Sequence, residues 1–113
     1  GRKMKLIDLI RKTGYQSITP GEDGTEITDG YTGDLLSDVM ANSPSDSVLV
    51  TIQAHKNTIA VATLAGIKAI VLCNGRTAPE DMKESAAAES IAILSTRKNQ
   101  FTVSAEIANL IRG

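Results

Sequence analysis

Three runs decide the fold: Val48-Leu49-Val50-Thr51-Ile52, Ala69-Ile70-Val71-Leu72-Cys73 and Ile91-Ala92-Ile93-Leu94. A strand with one wet face alternates apolar and polar residues, and none of these does, so both faces are expected to be covered. Each run leads into a helical pattern. That succession predicts an α/β fold in three layers, with a mainly parallel central sheet and flanking helices. In such sheets ligands favour the crevice at the carboxyl ends of the strands. Gln53, His55, Asn57, Asn74, Arg76, Ser95 and Thr96 stand there and form a candidate ligand-binding set.

Working outward, residues 4 to 13 place Leu6, Ile7, Leu9 and Ile10 on one side of a short helix that Gly14 can end. Tyr15 to Thr19 reads as a strand and Pro20 to Gly24 as a turn. Thr25 to Tyr31 is strand-like, but Gly30 and Gly33 interrupt it as they would at a bulge or a close backbone approach. Asp34 to Ala41 is expected to be a helix, with Asp34 at the positive end of its dipole. Asn57 can cap a helix through Ala65 that Gly66 terminates, and Thr77-Ala78-Pro79-Glu80 has capping-box spacing for the next helix. Val103, Ile107, Leu110 and Ile111 recur at helical spacing and predict a closing helix against the sheet.

The chain has 113 residues, room for one domain, and 42% of them are hydrophobic, enough for a core. Gly1-Arg2-Lys3 precedes Met4 in the manner of a tag remnant, so the domain is expected over residues 4–113. A formal charge of −1 argues against a nucleic-acid face, and Arg97-Lys98 is too short to make one. A single cysteine, Cys73, admits no internal disulfide, and no long apolar span suggests a membrane segment. The cytoplasm is the expected compartment. The helix Ile59 to Ala65 is apolar around most of its circumference, which predicts burial on more than one side, within the monomer or against a second subunit, and a homodimer is expected.

Chemistry is harder to find. His55 is the lone histidine, and neither a nucleophile with an orienting acid nor a set of metal ligands accompanies it. Cys73 ends an apolar strand and reads as a small buried hydrophobe. Asn74-Gly75 fits a tight turn, while Arg76 divides between an anion contact and an intersubunit ion pair. Thr28 to Asp34 brings Gly30 and Gly33 to a helix N-terminus, where free N–H groups can bind anions, so both join the candidate set. Asp29 and Asp34 oppose that use, and a structural bend is the favoured reading. Asp34 and Asp38, at i and i+4, read as solvated or capping residues rather than an acid/base pair. No G-x-x-x-x-G-K-[ST], G-x-G-x-x-G or C-x-x-C occurs, and neither a catalytic residue, a metal nor a cofactor is assigned.

One family resemblance rests on Gly30 to Ala41, with its Gly33-Asp34-Leu35-Leu36-Ser37 run, on Val50 to His55 and on Asn74-Gly75-Arg76. From about Met4 to Leu110 the chain resembles a stand-alone DRTGG domain. The name-giving motif is degraded: Thr28-Asp29-Gly30 stands where the family has Thr-Gly-Gly, and no arginine between Asp23 and Ile27 matches its Asp-Arg. The resemblance implies an α/β fold related to the N-terminal domain of HPr kinase/phosphorylase. It also implies a regulatory role beside CBS domains, pyrophosphatases or phosphate acetyltransferases. Kinase activity would need the P-loop that this chain lacks.

The expected function is therefore a non-catalytic regulatory or interaction module that senses a small anionic ligand such as a nucleotide, or meets a partner enzyme. The alternative is a small enzyme acting on an anionic metabolite at the strand-end crevice. Convergence of His55, Arg76 and Asp34 on one enclosed pocket would favour the enzyme.

Overall fold

The computed structural model describes residues 3–113, so Gly1 and Arg2 of the expected tag remnant lie outside the described residues. Its elements are β1 (Met4–Lys5), α1 (Leu6–Thr13), β2 (Gln16–Thr19), β3 (Glu26–Ile27), β4 (Asp29–Thr32), α2 (Leu36–Asn42) and β5 (Ser47–Thr51). They are followed by α3 (Lys56–Ala65), β6 (Ala69–Leu72), α4 (Glu80–Ala88), β7 (Ala92–Ser95) and α5 (Gln100–Arg112). The main sheet runs β2-β7-β6-β5-β4, with β4 through β7 parallel and β2 antiparallel at the edge. The three apolar runs are thus its central strands, as their composition required.

Alternate side chains of those strands enter two separate cores. Val48, Val50, Ala69, Val71, Cys73, Ala92 and Leu94 meet Leu6 and Leu9 of α1 and Val103, Ile107 and Ile111 of α5. Leu49, Ile70, Leu72 and Ile93 meet Val39 of α2, Ile59 and Ala62 of α3, and Met82 and Ala86 of α4. The parallel strands follow one another in spatial order, so the three crossover helices share one face. The terminal helices cover the other.

Several local expectations need correction. Met4 and Lys5 do not begin the first helix, because they pair antiparallel with Ile27 and Glu26 in a second, two-stranded sheet. The strand expected over Thr25 to Tyr31 breaks at Thr28, whose N–H donates to the Asp46 carbonyl; β3 joins the small sheet and β4 the large one. Gly30 is no bulge, since it pairs in regular register with Val48, and a Cβ there or at Gly33 would meet nothing nearer than 3.6 Å. The helix after Pro79 has no capping box. Pro79 is extended (ψ 159°) and itself precedes the first helical residue, leaving Thr77 too far back to reach a free N–H.

Gly66 ends α3 at φ +75°, where an added Cβ would also sit 3.1 Å from that of Ser45, so the sequence reading of this stop holds on two counts. The core is filled by aliphatic side chains and leaves little slack for truncation. Leu94 is fully buried between sheet and α5. Leu94→Ala is expected to lose about 2–5 kcal/mol of unfolding free energy in urea denaturation, against less than about 0.5 kcal/mol for a change at exposed Lys83.

Candidate functional site

The carboxyl ends of β4 through β7 lie along one edge of the sheet, and Asp34 organises the part of it nearest β4. It is not the first residue of α2, whose N-cap is Leu35, and its carboxylate turns toward β5 instead. Oδ1 accepts from the Thr51 hydroxyl at 2.9 Å, the Ile52 amide at 2.9 Å and the Gln100 side-chain amide at 3.0 Å. One oxygen thereby joins β4, β5 and α5. Burial pushes the Asp34 carboxyl up, but the Ile52, Thr51 and Gln100 hydrogen bonds and the positive charge of Arg76 outweigh it and hold the group below its ordinary value. Asp38 accepts from the Tyr31 hydroxyl and the Asn42 amide and makes no acid/base pair with Asp34, in keeping with its sequence reading.

The β5 loop serves the same structure. Gln53 donates through Nε2 to the Asp34 carbonyl at 2.8 Å, and its own carbonyl accepts from the Thr58 hydroxyl at 2.9 Å. His55 rather than Asn57 caps α3: its Nδ1 accepts from the Asn57 N–H at 3.0 Å, which puts the proton of the neutral ring on Nε2. Asn57 is the second helical residue, two positions past the cap. The imidazole is exposed, and His55 lines no cavity with Arg76 or Asp34.

The β6 and β7 loops form the other half of the edge. Asn74 and Gly75 lie at φ +59° and +68°, and the Arg76 N–H closes back on the Cys73 carbonyl at 3.1 Å, the geometry of a type I′ turn. Two further bonds fasten this turn to the next loop: Asn74 N–H to Lys98 carbonyl and Gly75 N–H to Thr96 carbonyl, each at 3.0 Å. Beside them opens a cleft of about 320 Å³ that Arg76, Ser95 and Thr96 line together with Gln16, Thr77 and Arg97. Asn74, Gln53, His55 and Asn57 do not line it. Gly30 lies in a different groove of about 160 Å³ between β4 and α5, closed at one end by the Asp29–Arg112 ion pair of 3.0 Å. Gly33 lies between the two regions and donates its N–H to the Val50 carbonyl.

Cys73 is fully buried, and burial together with the Asp34 charge pushes its thiol up to about 11. An inert hydrophobe fits that environment. Among the described residues no group of three or more His, Cys, Asp or Glu side chains is arranged to hold a metal ion.

Two comparisons bear on this geometry. A model of the DRTGG domain matches residues 33–110. The chain belongs to the DRTGG domain family. The match contains Asp34, the β5 loop and the Asn74-Gly75-Arg76 turn, and begins after the degraded Thr28-Asp29-Gly30 motif. The fold also superposes, with a TM-score of 0.77 and 12% identity, on a crystal structure of the CBS and DRTGG domains of the regulatory region of Clostridium perfringens pyrophosphatase, complexed with the activator diadenosine tetraphosphate. That alignment covers 91% of this DRTGG chain and 45% of the other, so the present chain spans less than half of that regulatory region's length. At such low identity the likeness shows the fold. No protein of curated function matches the sequence.

The hub at Asp34 yields a pH prediction. A carboxylate with a depressed folded pKa contributes its full stabilisation above the ordinary carboxylate range and loses it as pH falls toward the depressed value. Asp34→Asn keeps an acceptor oxygen and removes the charge. The stability gap between wild type and this variant, measured by urea denaturation, is expected to be widest near pH 7 and to close below about pH 4. A gap constant from pH 3 to 7 would exclude the charge as its source. Asp34→Ala, which strands the donors of Thr51, Ile52 and Gln100, is expected to cost roughly 1–3 kcal/mol.

Proposed function

We propose that this DRTGG domain is a non-catalytic regulatory module that senses a small anionic ligand of the nucleotide class. The observation that carries the reading is how the strand-end polar groups are used. The imidazole of His55 caps a helix, the carboxylate of Asp34 holds three elements together, and neither shares a cavity with the other. A catalytic constellation needs its base, nucleophile and stabilising groups convergent on one reacting atom. Here rigidity is what those side chains supply. The fold's likeness to a regulatory region crystallised with a nucleotide activator supports the same class of role. Such a module acts on an enzyme, either one in a neighbouring domain or a separate partner, and the cytoplasm is where such an enzyme and its nucleotide effector would meet it.

The module is further proposed to work as a homodimer. Leu64 on α3 is 74% exposed, and Met40 on the adjoining α2 is 40% exposed, so the crossover-helix layer offers nonpolar surface that a second copy can cover. Val61, on the same helix as Leu64, is only partly buried.

Thermal-shift measurements against adenine nucleotides, acetyl phosphate, pyrophosphate and divalent metals test the ligand class, since a ligand bound by the folded state alone raises the melting temperature with its concentration. A saturable rise with a nucleotide and no turnover is the expected result. Turnover abolished by His55→Ala would replace this reading with that of a small enzyme. For the dimer, sedimentation over a dilution series at micromolar concentration is expected to show a concentration-dependent dimer that Leu64→Glu converts to monomer. A single monomeric species for the wild type throughout would sink it.

A further inference from the structure

We infer that the cleft between the β6 and β7 loops is an anion site, built for the diphosphate group of a small molecule held between Arg76 and Arg97. The inference rests on the ligand-sensing reading above and gives that reading a place and a chemistry.

The frame comes first. The type I′ turn at Asn74-Gly75 and the loop after β7 are hydrogen-bonded to each other at Asn74–Lys98 and Gly75–Thr96, and the Thr96 N–H bonds back to the Leu72 carbonyl at 3.0 Å. Both arginines therefore spring from one rigid unit. Cγ of Arg97 lies 3.9 Å from where a Cβ on Gly75 would stand, so the Arg97 stem runs alongside the turn that carries Arg76. Arg97 and Lys98 alone are too short a run to make a basic patch; the fold adds Arg76 from twenty-one positions earlier.

Charge is the second argument. The residues that line the cleft include two arginines and no aspartate or glutamate. Among the described residues the ion pairs are Lys83–Glu80, Lys98–Glu106 and Arg112–Asp29, so the neighbouring Lys98 is neutralised locally while Arg76 and Arg97 have no ion-pair partner. Asp34 feels the Arg76 charge but does not line the cleft and is already committed to three donors, and Glu106 is taken up by the Lys98 ammonium and by the hydroxyl of Tyr15, which lines the cleft. A guanidinium presents a fixed fork of N–H donors matched to phosphate oxygens, and two of them across one cleft suit two linked phosphates better than one.

The remaining lining agrees. Among the described residues the hydroxyls of Thr77 and Ser95 make no hydrogen bond, and that of Thr96 accepts from the Lys98 N–H while its proton stays available to donate. Gln16 adds a side-chain amide from β2. A volume of about 320 Å³ sits at the lower end of small-molecule sites, enough for a diphosphate with the rest of a nucleotide extending into solvent.

Isothermal titration of the full chain in low-salt buffer with inorganic pyrophosphate, and separately with ADP, tests this site. Arg76→Gln and Arg97→Gln are surface changes that leave the turn's main-chain bonds in place, and Lys83→Gln is a remote control for diffuse electrostatics. Each arginine variant is expected to weaken binding of both probes at least ten-fold, the double variant to abolish it and Lys83→Gln to leave it unchanged. Tighter binding of ADP than of pyrophosphate identifies a nucleotide ligand, and the reverse order a free phosphoanhydride; both outcomes support the site. Undiminished binding in the double variant overturns the site and leaves the ligand-sensing reading standing. Equal weakening by Lys83→Gln overturns it as nonspecific attraction. Absence of binding by the wild type, in a chain whose melting temperature also ignores nucleotides, overturns both.

Discussion

The parallel sheet is apolar on both faces, and everything else in the molecule answers to that constraint. Val48, Val50, Val71 and Leu94 point one way and Leu49, Ile70, Leu72 and Ile93 the other, all buried. Exposing either face would forfeit about 25 cal/mol for each Å² of apolar surface returned to water. Consecutive strand order sends α2, α3 and α4 to one side, so the other face must be closed by elements from outside the β-α-β run. That is the task of α1 and α5. The same order aligns every strand's carboxyl end on one edge, which makes that edge the place where loops from distant sequence meet.

Those loops would be loose if each were tied only to its own strand. Asp34 prevents this near β4 and β5, because a single ionised oxygen accepting three hydrogen bonds fixes the positions of Thr51, Ile52 and Gln100 together. Main-chain bonds between the 73–76 turn and the 96–98 loop do the same near β6 and β7. The edge is thus divided into two rigid halves with different remaining capacity. In the first, Oδ1 of Asp34, Nε2 of Gln53 and Nδ1 of His55 are spent on bonds that hold the protein together. In the second, main-chain groups carry the framework and leave the arginine and hydroxyl side chains unspent.

That division sets what each half of the edge has left to offer. A strand-end crevice is a location, and its chemistry depends on which side chains there retain unused hydrogen-bonding and charge. Here the unused capacity is positive and open to solvent, the property of a binding surface. The DRTGG family model covers both halves of this edge, and the likeness to a solved CBS and DRTGG region shows that the fold is shared. The apolar exposure of Leu64 and Met40 lies on the crossover helices α3 and α2, and neither residue lines the arginine cleft.

The sequence by itself determined the fold class, the three central strands, the stops at Gly14 and Gly66 and the turn at Asn74-Gly75. All of these follow from apolar periodicity or from backbone angles that few residues tolerate, and both are local properties. The tertiary structure alone decided the split of Thr25 to Tyr31 between two sheets, because strand pairing depends on which edge is available and not on propensity. It also moved the cap from Asn57 to His55 and took Asp34 out of the helix it precedes. Asp34 bonds to residues 17, 18 and 66 positions away, and Arg76 meets Arg97 only because β6 and β7 are neighbours. A side chain's partners across such distances are set by how strands are ordered and helices docked, and that information is spread over the whole chain rather than carried by the residues that use it.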